Sequence, residues 1–213
     1  MATLSQIRVR TAALLLDPNY DQTSSATLNG FINDAQEQIE EIVRLHFKTT
    51  ATSSVNGTQT YTLPTDFLDI MEGEYSLSYT DSSSTVHYPC KVQSRSDLTS
   101  SYTDFFTKTG TPTYYWIDDN NFGFYPTPNY SGSSNISMKH YNIPATLSAD
   151  GTSSDFADKW KFAIALRAAG IALLHQQRFS ESQGFILESD KEIARILINT
   201  LDGDAGSRKI KHR

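Results

Sequence analysis

Residues 111–126 read TPTYYWIDDNNFGFYP. Two aromatic-rich runs, TPTYYWI and FGFYP, flank Asp118-Asp119-Asn120-Asn121. Asp and Asn bond their own backbone and tolerate positive φ, so the pattern predicts a β-hairpin with this quartet as its turn. The hairpin sits between two chain ends of helical periodicity, and that placement sets the fold class. The expectation is α+β: a helical bundle from the N- and C-terminal helices, an inserted antiparallel β-domain and an extended C-terminal arm. The expected boundaries are 1–55 with 153–202 for the bundle, 56–152 for the β-domain and 203–213 for the arm.

Strand alternation puts Tyr114 and Trp116 on one face and Tyr115 on the other. Three readings of the aromatic cluster (Tyr114, Tyr115, Trp116, Phe122, Phe124, Tyr125) stand side by side. Cross-strand pairing inside a sheet explains the rings without a ligand. A protein interface is also rich in Tyr and Trp. A sugar-binding platform needs exposed rings on one flat face.

Outward from the hairpin the period stays short. Residues 59–63, QTYTL, alternate polar and apolar, and Pro64 ends them. A short helical turn is expected at 66–70. EYSLSYT and TVHYPCKV flank Asp81-Ser82-Ser83-Ser84 and predict another hairpin. Leu98, Tyr102 and Phe105 predict a short helix within 96–106, and NISMKHYNI a last strand.

Toward the ends the period lengthens to three and four residues. A helix over 4–16 is expected, with Thr3 and Gln6 as a capping box and Asp17-Pro18 as its stop. A second, over 25–47, carries its apolar face on Leu28, Phe31, Ile32, Ala35, Ile39, Ile42, Val43 and His46. A third is expected over 155–177, capped by Ser154 and Asp155. A fourth spans 181–201, with Ser180 and Gln183 as a capping box and Gly203 as its stop.

Serine and threonine number 25 and 23 in the 213 residues. That favours strands, turns and polar surface over a compact metabolic enzyme. The net charge is −6. Four bases fall in the last six positions, and without them the balance is −10, which opposes tight non-specific binding to phosphate backbones. The single cysteine, Cys90, excludes an internal disulfide and suggests a reducing compartment. A buried or inert thiol is expected there. No run approaches 18 apolar residues, so no membrane span is expected. MATLSQIRVR lacks the apolar core of a signal peptide, so synthesis in a cytoplasm is expected.

No catalytic constellation emerges. There is no phosphate-binding loop, GxSxG elbow or HExxH helix. His46, His87, His140, His175 and His212 have no partners at metal-ligand spacing. Asp118 and Asp119 read as a solvated hairpin tip. The expectation is no enzyme, no cofactor and no metal. The terminal DGDAGSRKIKHR reads either as a frayed end or as an arm that orders on a partner.

The order of segments resembles the head-to-tail adaptor (connector, neck) proteins of tailed bacteriophages. The features that carry it are LNGFINDAQEQIEEIVR, TQTYTLPTDFLDI, GTPTYYWIDDNNFGFYPTP followed by ISMKHYNIPATL, and the closing pair DFADKWKFAIALRAAGIALLHQQR and SESQGFILESDKEIARI. Together they cover most of residues 25–197. The resemblance implies a virion protein at the neck: a ring of about twelve copies, closed by heterologous contacts, beneath the portal. Such a ring extends the DNA channel without specific DNA binding and offers a platform to a tail, nozzle or terminator protein. It implies a portal-binding arm carrying Arg208, Lys209, Ile210, Lys211 and Arg213. The subunit or tail interface then falls on Tyr114, Trp116, Asp118, Asp119 and Phe124. A carbohydrate-binding or sugar-processing domain, and another phage tail-completion protein, are the competing readings.

Overall fold

A computed structural model describes residues 1–71, 73, 75–92 and 94–207; over 201–207 it describes the backbone alone. In chain order the elements are α1 (Leu4–Leu14), α2 (Ser25–Val43), β1 (Phe47–Ser54), β2 (Thr60–Thr62), β3 (Phe67–Ile70), β4 (Leu77–Thr80), β5 (Val86–His87) and β6 (Cys90–Lys91). Then follow α3 (Arg95–Ser101), β7 (Thr109–Gly110), β8 (Tyr114–Asp118), β9 (Asn121–Tyr125), β10 (Thr127–Pro128), β11 (Gly132–Asn142), α4 (Lys161–His175) and α5 (Phe179–Ser207). The chain is α+β and separates into two compact units, Met1–Val43 with Pro144–Arg213, and Arg44–Ile143.

In the first unit α1, α2 and α5 all pack on α4 or its neighbours around Leu4, Ile7, Leu28, Ile32, Ile39, Trp160, Ile164, Ile193 and Ile196. The Thr3–Gln6 capping box forms as expected. Past α1, Leu16 takes positive φ, and the buried Asp17 carboxylate accepts the backbone N–H groups of Asp21, Gln22 and Thr23. One acidic side chain thus satisfies the turn into α2. Helix α4 is buried almost all round because its faces are small: Ala163, Ala165, Ala168, Ala169 and Ala172 are all inside. Against it α5 comes so close that a Cβ on Gly170 would fall 2.8 Å from Ile186 Cγ1. Ser182 Oγ donates to Gly170 O (2.8 Å) and Ser189 Oγ to Ala163 O (3.0 Å), so both buried hydroxyls in this tight seam are paired.

In the second unit the five-stranded sheet runs β1-β11-β4-β5, with β3 also on β11. The four-stranded sheet runs β2-β9-β8-β6. Leu77, Tyr79, Ile136 and Met138 from the first meet Tyr61, Tyr115, Phe122 and Phe124 from the second in one core. On the other face of the four-stranded sheet, α3 and the following loop bring Leu98 and Phe105 onto Trp116 and Tyr125. Both hairpins form: β4 pairs β5, and β8 pairs β9 with Asp118 opposite Asn121, which leaves Asp119-Asn120 as a two-residue turn. Asp119 has φ +47.

Several expectations need correction. Helix α2 stops at Val43, because Arg44 takes positive φ and Phe47–Ser54 is strand. That stretch, FKTTATSS, is rich in β-branched threonine, which fits a pleated surface. Residues 67–70 are strand, held by β11, not a helical turn. The strands are not all antiparallel: β6 pairs β8 and β10 pairs β7 in parallel. Ser154 and Asp155 do not cap α4. Ser154 Oγ is buried against Gln36, the Asp155 carboxylate accepts from Ala145 N–H, and a 3₁₀ turn at Asp158–Trp160 leads into α4. Helix α5 starts at Phe179, which puts Ser180 and Gln183 inside the helix and not at its cap. It continues through Gly203 to Ser207. A glycine costs about 1 kcal/mol relative to Ala, and extending an existing helix needs no new nucleus. The segment 203–207 is therefore helical backbone, not an extended lead. Arg208, Lys209, Ile210, Lys211 and Arg213 lie outside the described residues.

Candidate interaction surfaces

The aromatic hairpin is the first candidate, and its geometry divides the five residues assigned to it. Trp116 and Phe124 are buried, one on each face of the four-stranded sheet. The Trp116 ring lies 5.3 Å from Phe105, and Phe124 lies 5.7 Å from Phe122 and 6.2 Å from Tyr79. Each fully buried aromatic ring contributes on the order of 1.5–3 kcal/mol to folding. Their part in an interface is withdrawn: the rings are spent inside one subunit. Tyr114 is half-buried beside Tyr102 at 6.1 Å. Asp118 and Asp119 stay exposed at the tip, where Asp118 borders a hollow of about 510 Å³ with Arg95, Ser96, Thr99 and Ile117. The flat sugar platform is overturned by the same burial.

Electrostatics near the hairpin are those of a folded interior. Burial, then the Asp104 carboxylate, push the Tyr125 hydroxyl up to about 12, and it donates to Asp104 at 2.6 Å. That bond holds Asp104 below the usual carboxylate range. Burial also raises Tyr115, whose hydroxyl lies 3.4 Å from Ser76 Oγ. At the β4–β5 tip, Ser83, then His87 and the Thr85 N–H, hold Asp81 far below its ordinary value. Each of these groups has a hydrogen-bond partner among its neighbours.

His140 is wholly buried. Its Nδ1 donates to Tyr141 O at 3.0 Å, leaving Nε2 to accept the Thr50 hydroxyl at 3.0 Å. Cys90 is exposed, not buried. It lines a cleft of about 500 Å³ with Tyr75, Tyr88, Lys91 and Tyr115. Tyr75 and Tyr88 meet edge to face at 4.7 Å, so they offer no coplanar stack. Among the described residues no cluster of three or more His, Cys, Asp or Glu is placed to hold a metal, and no helix is long and apolar enough to cross a membrane.

The surface features that sequence reading missed are apolar side chains left in water. Leu16, Phe47, Tyr75, Phe106, Phe179 and Ile198 are all more than half exposed. Isolated exposed apolar residues are ordinary. Those on helices follow a pattern that the sequence held: Val9 lies off the Leu4–Ile7–Thr11 stripe, and Leu187 and Ile198 lie off the Ser189–Ile193–Ile196 stripe.

No curated protein matches the chain. Residues 2–205 match the SU10 adaptor protein family. The match takes in both units and nearly all of the sequence, so this chain belongs to the SU10 adaptor protein family and is a phage structural adaptor protein.

Proposed function

We propose that the chain forms a head-to-tail adaptor ring of about twelve copies beneath the portal, held by heterologous contacts between neighbours. The ring extends the DNA channel and gives the tail its attachment platform. Membership of the adaptor family over residues 2–205 carries this reading, since it makes the chain a virion component that joins other virion components. The exposed apolar side chains on both units are consistent with burial in an assembly. In this reading the helical unit is the bundle and the strand-rich unit an inserted β-domain. The role is structural, not enzymatic.

The terminal Arg208, Lys209, Ile210, Lys211 and Arg213 are the proposed portal contact. Helix α5 is described through Ser207, and the six residues beyond it span at most roughly 20–22 Å. Exposed ion pairs give about 0–1 kcal/mol each, so one arm is weak, and many on one ring act together. Asp118 and Asp119, with Tyr114 behind them, remain the proposed subunit or tail contact at the hairpin tip. Negative-stain imaging of the protein mixed with the portal of its phage tests the reading. A ring added to the portal face supports it, and portals that stay bare contradict it.

A further inference from the structure

The first two helices leave bare stripes of opposite character. On α1 and its end the exposed residues are Gln6, Val9, Arg10, Ala13 and Leu16. Steps of three and four place Gln6, Val9, Arg10 and Ala13 on one line, Leu16 follows just past the helix end, and none is acidic. Val9 is 59% and Leu16 86% exposed. Lys161, at the start of α4, joins Gln6, Val9, Arg10 and Ala13 around an open hollow of about 500 Å³. The Arg10 guanidinium is steadied 4.5 Å over the Phe162 ring. On α2 the exposed line is Asp34, Glu37, Gln38, Glu41 and Ile42, at i, i+3, i+4, i+7 and i+8. Ile42 is 55% exposed. Among the described residues, no salt bridge involves Asp34, Glu37 or Glu41, and none involves Arg10 or Lys161, although the Arg10 charge, after Arg195, helps to hold the Glu192 carboxyl low.

We propose that the α1 stripe of one copy docks on the α2 stripe of the next, with Arg10 and Lys161 against Glu37 and Glu41 and with Val9 and Leu16 against Ile42. The occupant is a second copy of this chain because one chain carries both complementary patches on different helices. Like stripes face to face would set cation on cation or acid on acid, and a two-fold contact that used both opposite pairs would stop at a dimer. A head-to-tail contact sets opposite stripes together and leaves the α2 stripe of one copy and the α1 stripe of the other free. Such a contact repeats and closes into a ring. Opposite charge steers the encounter and fixes the register, and the aliphatic side chains supply the dry centre. This assignment rests on the ring reading and adds which surfaces make the ring.

Charge reversal tests it on the full-length chain, with rings counted by negative stain on portal. One variant carries Arg10→Glu and Lys161→Glu, the other Glu37→Lys and Glu41→Lys. All four positions lie outside the core, so both variants should melt like the wild type. Each alone should lose ring formation at least tenfold. An equal mixture should recover it, because the acidic α1 of the first variant then faces the basic α2 of the second, and the acidic α2 of the first faces the basic α1 of the second. Rings from each variant alone at the wild-type level, or a mixture no better than its parts, overturn the assignment while the ring reading stands. Wild-type protein that forms no ring on portal overturns both.

Discussion

Trp116 lies so tightly against Gly123, its partner across the β8–β9 hairpin, that a Cβ at position 123 would fall 2.2 Å from Cζ2 of the indole. The glycine makes room for the largest side chain of the sheet. With Trp116 laid over position 123, Phe105 and Tyr125 close around it, and this face of the hairpin becomes core instead of contact surface.

Gly123→Ala should therefore destabilise the strand-rich unit by about 1–3 kcal/mol, the usual range for overpacking a core. Urea unfolding followed by tryptophan emission measures it. An unchanged midpoint would mean that the indole moves aside freely.

Asp17 is buried and accepts three backbone N–H groups from Asp21, Gln22 and Thr23. Asp17→Ala leaves those donors unpaired in the turn joining α1 to α2. A loss of about 1–3 kcal/mol is expected. Thermal unfolding of the full chain gives the value, and a change below about 0.5 kcal/mol, the ordinary size for a surface site, would contradict it.

Asp81 shows how the hairpin tips respond to pH. Its folded value is depressed by Ser83, His87 and Thr85. A depressed carboxylate contributes stability that is present above its unfolded value, about 3.9, and is lost as pH falls below it. Asp81→Asn should lower the melting temperature at pH 7, and the gap to wild type should narrow between about pH 5 and pH 2. A gap that is constant or widens on acidification would show that the carboxylate charge is not what orders the tip.

The parts that were legible in the sequence have a single dominant period. Leu28, Ile32, Ala35 and Ile39 repeat like a helix and bury like one, and Tyr114 to Ile117 alternate between two faces as strand residues must. Asp81 and Asp119 mark their turns because their side chains or their φ suit one. The illegible parts depend on distant neighbours. FKTTATSS has no apolar alternation, and becomes strand because β11 pairs along it from Tyr141 to Gly132. FLDI carries Phe67 and Ile70 at helix-compatible spacing, but β11 holds it extended. The aromatic cluster kept three readings open because alternation places rings on faces without saying what covers them. Leu98 and Phe105 cover one face and Tyr79 and Met138 the other, and those contacts are remote in sequence.

Deleting residues 208–213 isolates the proposed portal arm, now that α5 extends to Ser207. The shortened chain should keep its circular dichroism and melting temperature and bind portal at least tenfold more weakly. Equal portal occupancy by the two chains would make the basic end a solvated terminus with no part in docking.

The central claim is assembly on a template, and mass decides it. Light scattering or native mass spectrometry on the free protein should give a species at the 23.8 kDa chain mass, or one in weak exchange. Added to the portal of its phage, the protein should raise the portal mass by about twelve chains and then saturate, as a closed ring on a fixed template requires. A portal mass that does not change, or that climbs without saturating, would contradict the account.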